Sequence, residues 1–159
     1  MSKFKIEVEL LEEGKLPFKA HKTDAGFDLF ATEDVKVHPN GVTKHPLNIK
    51  MKLPQGTYAQ IASKSGLGSR GLLVYAGIID ESYRGIPHVV CTKLNGSYYS
   101  TNSLGDLISD SDPLLIKKGA KIAQMLIHPY SPDYYMEQVE HVSNDTERGS
   151  GGFGSTGEM

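Results

Sequence analysis

Asp80 ends an apolar run and is followed three residues later by Tyr83, in Gly77-Ile78-Ile79-Asp80-Glu81-Ser82-Tyr83-Arg84-Gly85. An acid held at a hairpin edge can orient water and take its proton. The same residues also fit a turn aspartate followed by a half-buried tyrosine. A second stretch, Ser63-Lys64-Ser65-Gly66-Leu67-Gly68-Ser69-Arg70-Gly71, sets cation, hydroxyl and glycine side by side. That suits a phosphate cradle at a loop-to-helix junction, and equally an ordinary Gly/Ser loop. It is not a Walker A loop, because GxxxxGK[ST] does not occur in the chain. In Asp24-Ala25-Gly26-Phe27-Asp28-Leu29 two acids bracket a glycine before an apolar run. A turn entering a strand accounts for them, and so does a carboxylate, Asp28, that holds water on magnesium. Magnesium keeps much of its water and takes only one or two carboxylates beside substrate phosphates. In Gly119-Ala120-Lys121-Ile122-Ala123-Gln124 the glutamine stands among apolar strand residues. It reads as an edge residue or as a donor to phosphate.

The fifth stretch is Arg148-Gly149-Ser150-Gly151-Gly152-Phe153-Gly154-Ser155-Thr156-Gly157, in which five of the ten residues are glycine. Such a stretch buries too little apolar surface to order itself. Its side chains nevertheless suit a phosphorylated ring. Arg148 can fork onto phosphate oxygens, Phe153 can lie on a planar ring, and Ser155, Thr156 and the glycine N–H groups, Gly154 among them, can wrap an anion. The stretch reads as a lid that orders over a nucleotide, or as a linker-like terminus.

These residues need a scaffold. At 159 residues the chain is expected to form one domain. Charges of both signs are mixed and the net charge is −2, so no electrostatic footprint for nucleic acid is present. The single cysteine, Cys91, excludes an internal disulfide and a CxxC zinc site, and its apolar surroundings make it a packing residue. The six histidines are scattered, and neither HExxH nor a Ser-His-Asp order occurs. No run is apolar and long enough to span a membrane, and the N-terminus lacks a signal-peptide core. A cytoplasmic location is the default expectation.

The dominant period is two. Phe4, Ile6, Val8 and Leu10 alternate with charges, as do Leu47, Ile49, Met51 and Leu53 with Asn and Lys, and Val35 with Val37. Further strand-like runs are Tyr58–Ala62, Leu72–Ile79, His88–Leu94, Lys121–His128 and Tyr134–Val139. Short strands broken by Gly, Pro and Asn turns predict an all-β sandwich or jelly roll. Leu104–Ile108 and Ser63–Ser69 are each expected to form a short helical turn. Asn95–Pro113 is polar, contains Tyr98 and Tyr99, and exceeds the usual length of a connection, which marks it as an insert. It reads as a tolerated surface insertion or, with its paired tyrosines, as a contact surface.

The order and spacing of the five stretches resemble the five motifs of trimeric dUTPases. The resemblance runs from about residue 20 to residue 157, with Gly-Ile-Ile-Asp-x-x-Tyr-Arg-Gly and Arg-Gly-x-Gly-Gly-Phe-Gly-Ser-Thr-Gly as its most specific parts. It implies a distorted jelly-roll homotrimer: residues 1–145 as the domain, an insert at about 95–113, and residues 146–159 as a lid over a neighbouring site. It further implies dUTP hydrolysis to dUMP and pyrophosphate with Mg2+, each site drawing on three chains. By this resemblance Asp80 is the general base and also contacts the 3′-hydroxyl. Tyr83 packs under the deoxyribose, and backbone groups along Val74–Ile79, including Gly77, Ile78 and Ile79, read uracil. Asp28 holds magnesium-bound water. Lys64, Ser65 and Gly66 face the phosphates and Gln124 approaches the α-phosphate. Arg148 clamps the γ-phosphate, Phe153 stacks on uracil, and Gly154, Ser155 and Thr156 hold the terminal phosphates.

Two residues depart from the family pattern. Lys64 stands where arginine is usual, exchanging a planar fork for a point charge. Val74 stands where some members carry asparagine. The insert resembles that of phage-encoded members, some of which bind transcriptional repressors of mobile genetic elements. A repressor protein is therefore a second expected partner. The related dCTP deaminases are a third reading, against which the Tyr83 hairpin and the complete tail favour dUTP.

Overall fold

The computed structural model describes residues 4–75, 77–94, 100–101, 107–108, 113–143 and 145–146. Its first strands are β1 (Glu7–Leu10), β2 (Phe27–Phe30), β3 (Val35–Val37), β4 (Thr43–Pro46), β5 (Ile49–Lys52) and β6 (Thr57–Ala62). A one-turn helix α1 (Ser65–Gly68) follows, then β7 (Leu72–Tyr75), β8 (Ile78–Ile79) and β9 (His88–Lys93). The last strands among the described residues are β10 (Ser100–Thr101), β11 (Leu107–Ile108), β12 (Leu114–Ile116) and the long β13 (Lys121–Pro129). The fold is an all-β sandwich of jelly-roll type. No helix among the described residues is long and apolar enough to cross a membrane.

Alternation decides which side chains enter the core. In β5 Ile49 and Met51 are buried, Lys50 is half-buried and Lys52 exposed. In β3 Val35 and Val37 are buried around exposed Lys36. Side chains of successive strand residues point to opposite faces, so a period of two fills one face and leaves the other to water. Leu29, Val37, Ile49, Ile61, Val89, Cys91, Ile122 and Met125 belong to the resulting core cluster. Each fully buried aliphatic side chain contributes about 1.5–3 kcal/mol. Cys91 packs there as expected, and burial pushes its thiol up to about 11.

Two sheets carry most of the molecule. One runs β2-β13-β6-β8 and the other β4-β9-β7. β12 pairs with β3, and β1 pairs with β5. The expected run Leu72–Ile79 is divided between the sheets, with β7 on β9 and β8 on β6. Of the two expected helical turns, the first forms as α1. In the second, Leu107 and Ile108 instead pair antiparallel with Thr101 and Ser100. Tyr134–Val139 forms no strand: Tyr134, Tyr135 and Met136 are at least four-fifths exposed and find no sheet edge among the described residues. Alternation gives a strand its faces, but a strand also needs a partner for its backbone groups.

One buried polar contact ties β4 to the loop after β2. The Thr32 N–H donates to His45 Nε2 at 2.9 Å, and Thr32 Oγ1 donates to the Pro46 carbonyl at 3.1 Å. His45 is 2 % exposed. Burial lowers its pKa below 6.5, with nearby Glu33 opposing, so the ring is neutral and its Nε2 accepts.

Candidate active site

Strand register brings three of the expected residues together. On one side of β13, Gln124 lies opposite Asp28 of β2, and on the other it lies opposite Ala62, the last residue of β6. Ser63 and Lys64 follow directly. Gln124 Nε2 donates to the Ser63 carbonyl at 2.9 Å, and Ser63 Oγ accepts the Val74 N–H at 3.1 Å. Glutamine is thus fixed by the chain that leads into the Ser65-Gly66 turn. The register of β13 against β2 shifts between Lys121 and Ala123.

Asp28 is the centre of this cluster. It is 6 % exposed, Lys121 Nζ sits 2.6 Å from its Oδ2, and Lys64 Nζ is bonded to its Oδ1. Burial by itself would raise the carboxyl's pKa. The bonds from Lys121 and Lys64 outweigh it and hold Asp28 below its ordinary 3.8. The group is therefore a carboxylate at neutral pH, framed by two ammonium groups that both reach solvent. Beyond Lys64, α1 opens at Ser65 without a side-chain cap. The first N–H groups of any helix lack intrahelical acceptors. Around Gly66 the space within 4 Å of a would-be Cβ is open.

Magnesium fits this arrangement in one way. Among the described residues no three His, Cys, Asp or Glu side chains gather as a cage. An ionised carboxylate has about four acceptor sites, and Asp28 commits one bond per oxygen to lysine. It retains capacity to accept from water on an ion held mainly by phosphates.

Asp80 and Tyr83 occupy the second half of the site. Gly77 lets the chain press onto β6: its carbonyl accepts the Ile61 N–H at 2.7 Å, and a Cβ there would lie 2.2 Å from the Ile61 carbonyl oxygen. β8 then pairs Ile78 with Gln60 and Ile79 with Ala59. Asp80 follows, exposed, and among the described residues its carboxylate makes no hydrogen bond. A turn closes behind it, with the Tyr83 N–H on the Asp80 carbonyl at 3.1 Å. Tyr83 lies over Gly85, where a Cβ would come within 2.5 Å of the phenol oxygen, and its hydroxyl donates to the Ile86 carbonyl at 3.2 Å. Ile61, Ile78, Asp80, Tyr83, His88 and Val90 line a cleft of about 190 Å³. A wider cleft of about 580 Å³, bordered by Tyr58, Glu81, Ser82 and Tyr130, also meets Asp80.

The two halves stand apart along β6. Asp80 leaves the sheet beside Tyr58, whereas Gln124 lies opposite Ala62. Four residues of strand separate those points by roughly 13 Å. Arg148, Phe153, Gly154, Ser155 and Thr156 lie outside the described residues, as do Tyr98 and Tyr99. Three residues were missed from sequence: Lys121, Ser63 and Glu81. Lys121 had a signal, a cation within the same short stretch as Gln124. Ser63 acts through its backbone carbonyl and as an acceptor, which no side-chain pattern reveals.

A jelly-roll sandwich with a lysine-framed carboxylate on one strand pair and an exposed acid on the turn after β8 defines the class. Within it, the chain belongs to the dUTPase family, whose model matches residues 12–101 and 107–157. It is 42% identical over 151 residues to the deoxyuridine 5'-triphosphate nucleotidohydrolase of Clostridium kluyveri, covering 93% of this chain and 94% of that enzyme. Identity to the Mus musculus enzyme of the same name is 36%, over 94% of this chain and 83% of that one. Among solved structures it is similar to the Staphylococcus bacteriophage 80alpha dUTPase with dUpNHpp, at a TM-score of 0.75 and 30% identity, covering 97% and 99% of the two chains. That phage protein is described as controlling transfer of virulence genes by a proto-oncogenic G protein-like mechanism. The dUTPase of phage phi11, in which a species-specific insert is visualised, matches at a TM-score of 0.69 and 28% identity, over 87% of this chain and 97% of that one.

Proposed function

We propose that this chain is a dUTP nucleotidohydrolase that converts dUTP and water to dUMP and pyrophosphate and works as a homotrimer with shared sites. The observation that carries the reading is the turn after β8. An exposed, unengaged carboxylate, Asp80, stands at the mouth of a small cleft beside a fixed tyrosine ring. Uracil enters that cleft and is read by backbone groups of the hairpin. A hydrogen-bonding site rejects a ring with the reversed donor and acceptor pattern strongly. Tyr83 supports the deoxyribose and leaves no room for a 2′-hydroxyl.

Asp80 takes a proton from water as the water oxygen bonds to the α-phosphorus. The bond from that phosphorus to the bridging oxygen breaks, and pyrophosphate leaves with the electron pair. Lys64, Ser65, Gly66 and Gln124 orient the phosphates. Magnesium, when bound through phosphates and water on Asp28, supplies charge neutralisation for the leaving group. Arg148, Phe153, Gly154, Ser155 and Thr156 close over the nucleotide from a further chain and exclude bulk water. The likeness of the five motifs to those of trimeric dUTPases supports a site completed by a neighbour. Pyrophosphate release from dUTP, dCTP, dTTP and UTP tests the reading. Release confined to dUTP is expected, and equal release from dCTP or UTP would overturn it.

A second role rests on the insert. β10 and β11 form a two-stranded sheet of their own, and the family match breaks at 102–106 within it. We propose this hairpin as the docking element for a transcriptional repressor protein. Deleting residues 98–112 is expected to abolish that binding, and unchanged binding would remove the insert from the account.

A further inference from the structure

Among the described residues no side-chain bond holds Asp80, so its position comes from the backbone on either side. On the β8 side the ladder to β6 supplies this. On the other side stands Glu81, whose carboxylate reaches back under the turn. Its Oε2 accepts the Gly56 N–H at 2.8 Å and the Tyr130 hydroxyl at 3.1 Å. Its backbone carbonyl accepts from Arg84 Nη1 at 2.6 Å. Gly56 and Tyr130 are themselves tied, since the Tyr130 N–H donates to the Gly56 carbonyl at 2.9 Å. Glu81 therefore bolts the turn to the start of β6 and the end of β13. Gly56 holds its own place at φ +73, a conformation that suits glycine. The bond to Glu81 also raises the Tyr130 phenol's pKa, which keeps the phenol a donor.

We infer that Glu81 is a positioning residue for the hydrolytic step: through Gly56 and Tyr130 it fixes the Asp80 carboxylate relative to the nucleotide cleft. The inference rests on the dUTP reading. Glu81 acts through its bonds to Gly56 and Tyr130 and carries no proton in the hydrolytic step. Its removal should loosen the geometry of proton transfer more than it weakens nucleotide binding. A displacement on the order of 1 Å in a reacting geometry costs about 100-fold in rate.

The test uses the full-length protein with magnesium and four variants. Glu81→Ala should lower kcat for dUTP by about 10–100-fold with KM changed by less than about 3-fold. Glu81→Gln keeps an oxygen that accepts from both Gly56 and Tyr130, and should recover most of the loss. Tyr130→Phe removes one of the two donors and should fall between wild type and Glu81→Ala. Gly56→Ala, a control for the turn, should lower Tm. If Glu81→Ala fails to fold, Tyr130→Phe and Glu81→Gln decide. Equal kcat in Tyr130→Phe and wild type, or a loss of about 10-fold or more in Glu81→Gln, overturns the clamp. A Glu81→Ala defect confined to KM overturns the positioning role. An inactive wild type overturns the dUTP reading and the inference with it, whereas an active wild type with an indifferent Glu81 overturns the inference alone.

Discussion

The two halves of the candidate site are built by opposite means. Around Asp28 the chain spends charge: a buried carboxylate is held by Lys64 and Lys121, and Gln124 is pinned to Ser63. Around Asp80 it spends shape: Gly77 presses on Ile61, Tyr83 covers Gly85, and the acid itself stays free of hydrogen bonds among the described residues. The difference teaches which half binds and which half reacts. A carboxylate held below its ordinary pKa by two ammonium groups is a poor proton acceptor and a stable electrostatic fixture. A carboxylate with open acceptor sites at a cleft mouth can take a proton from water.

The comparison breaks most visibly at Gly77. A Cβ 2.2 Å from the Ile61 carbonyl oxygen forces β8 off β6. Gly77→Ala should lose about 100-fold in dUTP turnover and about 1–3 kcal/mol of stability. Steady-state kinetics with a urea titration check both, and a fully active Gly77→Ala would show that β8 need not lie on β6. On the charged side, Asp28→Asn should cost about 1–3 kcal/mol, less than the roughly 3–5 of a fully buried broken pair because both ammonium groups reach water. Its magnesium requirement should rise as well. Unchanged stability would mean the lysines gain nothing from Asp28.

Acid sharpens the contrast. His45 is held neutral, so the unfolded chain binds its proton first. Its contribution is complete above pH 6.5 and falls as pH drops through its lowered folded value. Asp28 is held ionised, so its contribution survives until pH falls below 3.8. Urea midpoints between pH 8 and 4 should decline first in the His45 window, and His45→Gln should flatten that decline. A flat wild-type profile from pH 7 to 5 would contradict the buried neutral ring. The smallest effect is expected for Lys64→Arg. A planar fork at that point should change KM for dUTP by no more than about 3-fold, because Lys121 already satisfies the second oxygen of Asp28.

The sequence made the charged half easier to read than the shaped half. Ile49 and Met51 entered the core as their alternation required, and Asp28, Lys64 and Gln124 stood out by residue type, although periodicity carried no sign that β13 would pair with β2 and β6. The run Leu72–Ile79 read as one strand because periodicity carries no sign of a sheet change. Gly77 made that change, through a backbone approach that only contact with Ile61 reveals. Tyr134–Val139 has a strand's composition but, among the described residues, no neighbour to pair with. The Glu81 anchor was hidden for a similar reason: its partners are a backbone N–H at Gly56 and a phenol at Tyr130, 25 and 49 residues away.

The central claim is that the open carboxylate, not the lysine-framed one, takes the proton from water. The most direct test is single-turnover pyrophosphate release from dUTP by wild type and Asp80→Asn, with nucleotide binding measured on the same samples. The account predicts dUTP binding within a few-fold of wild type and release slowed by about 10²–10⁴-fold in Asp80→Asn. Release near the wild-type rate in that variant would contradict it and would return the search for the base to other residues of the site.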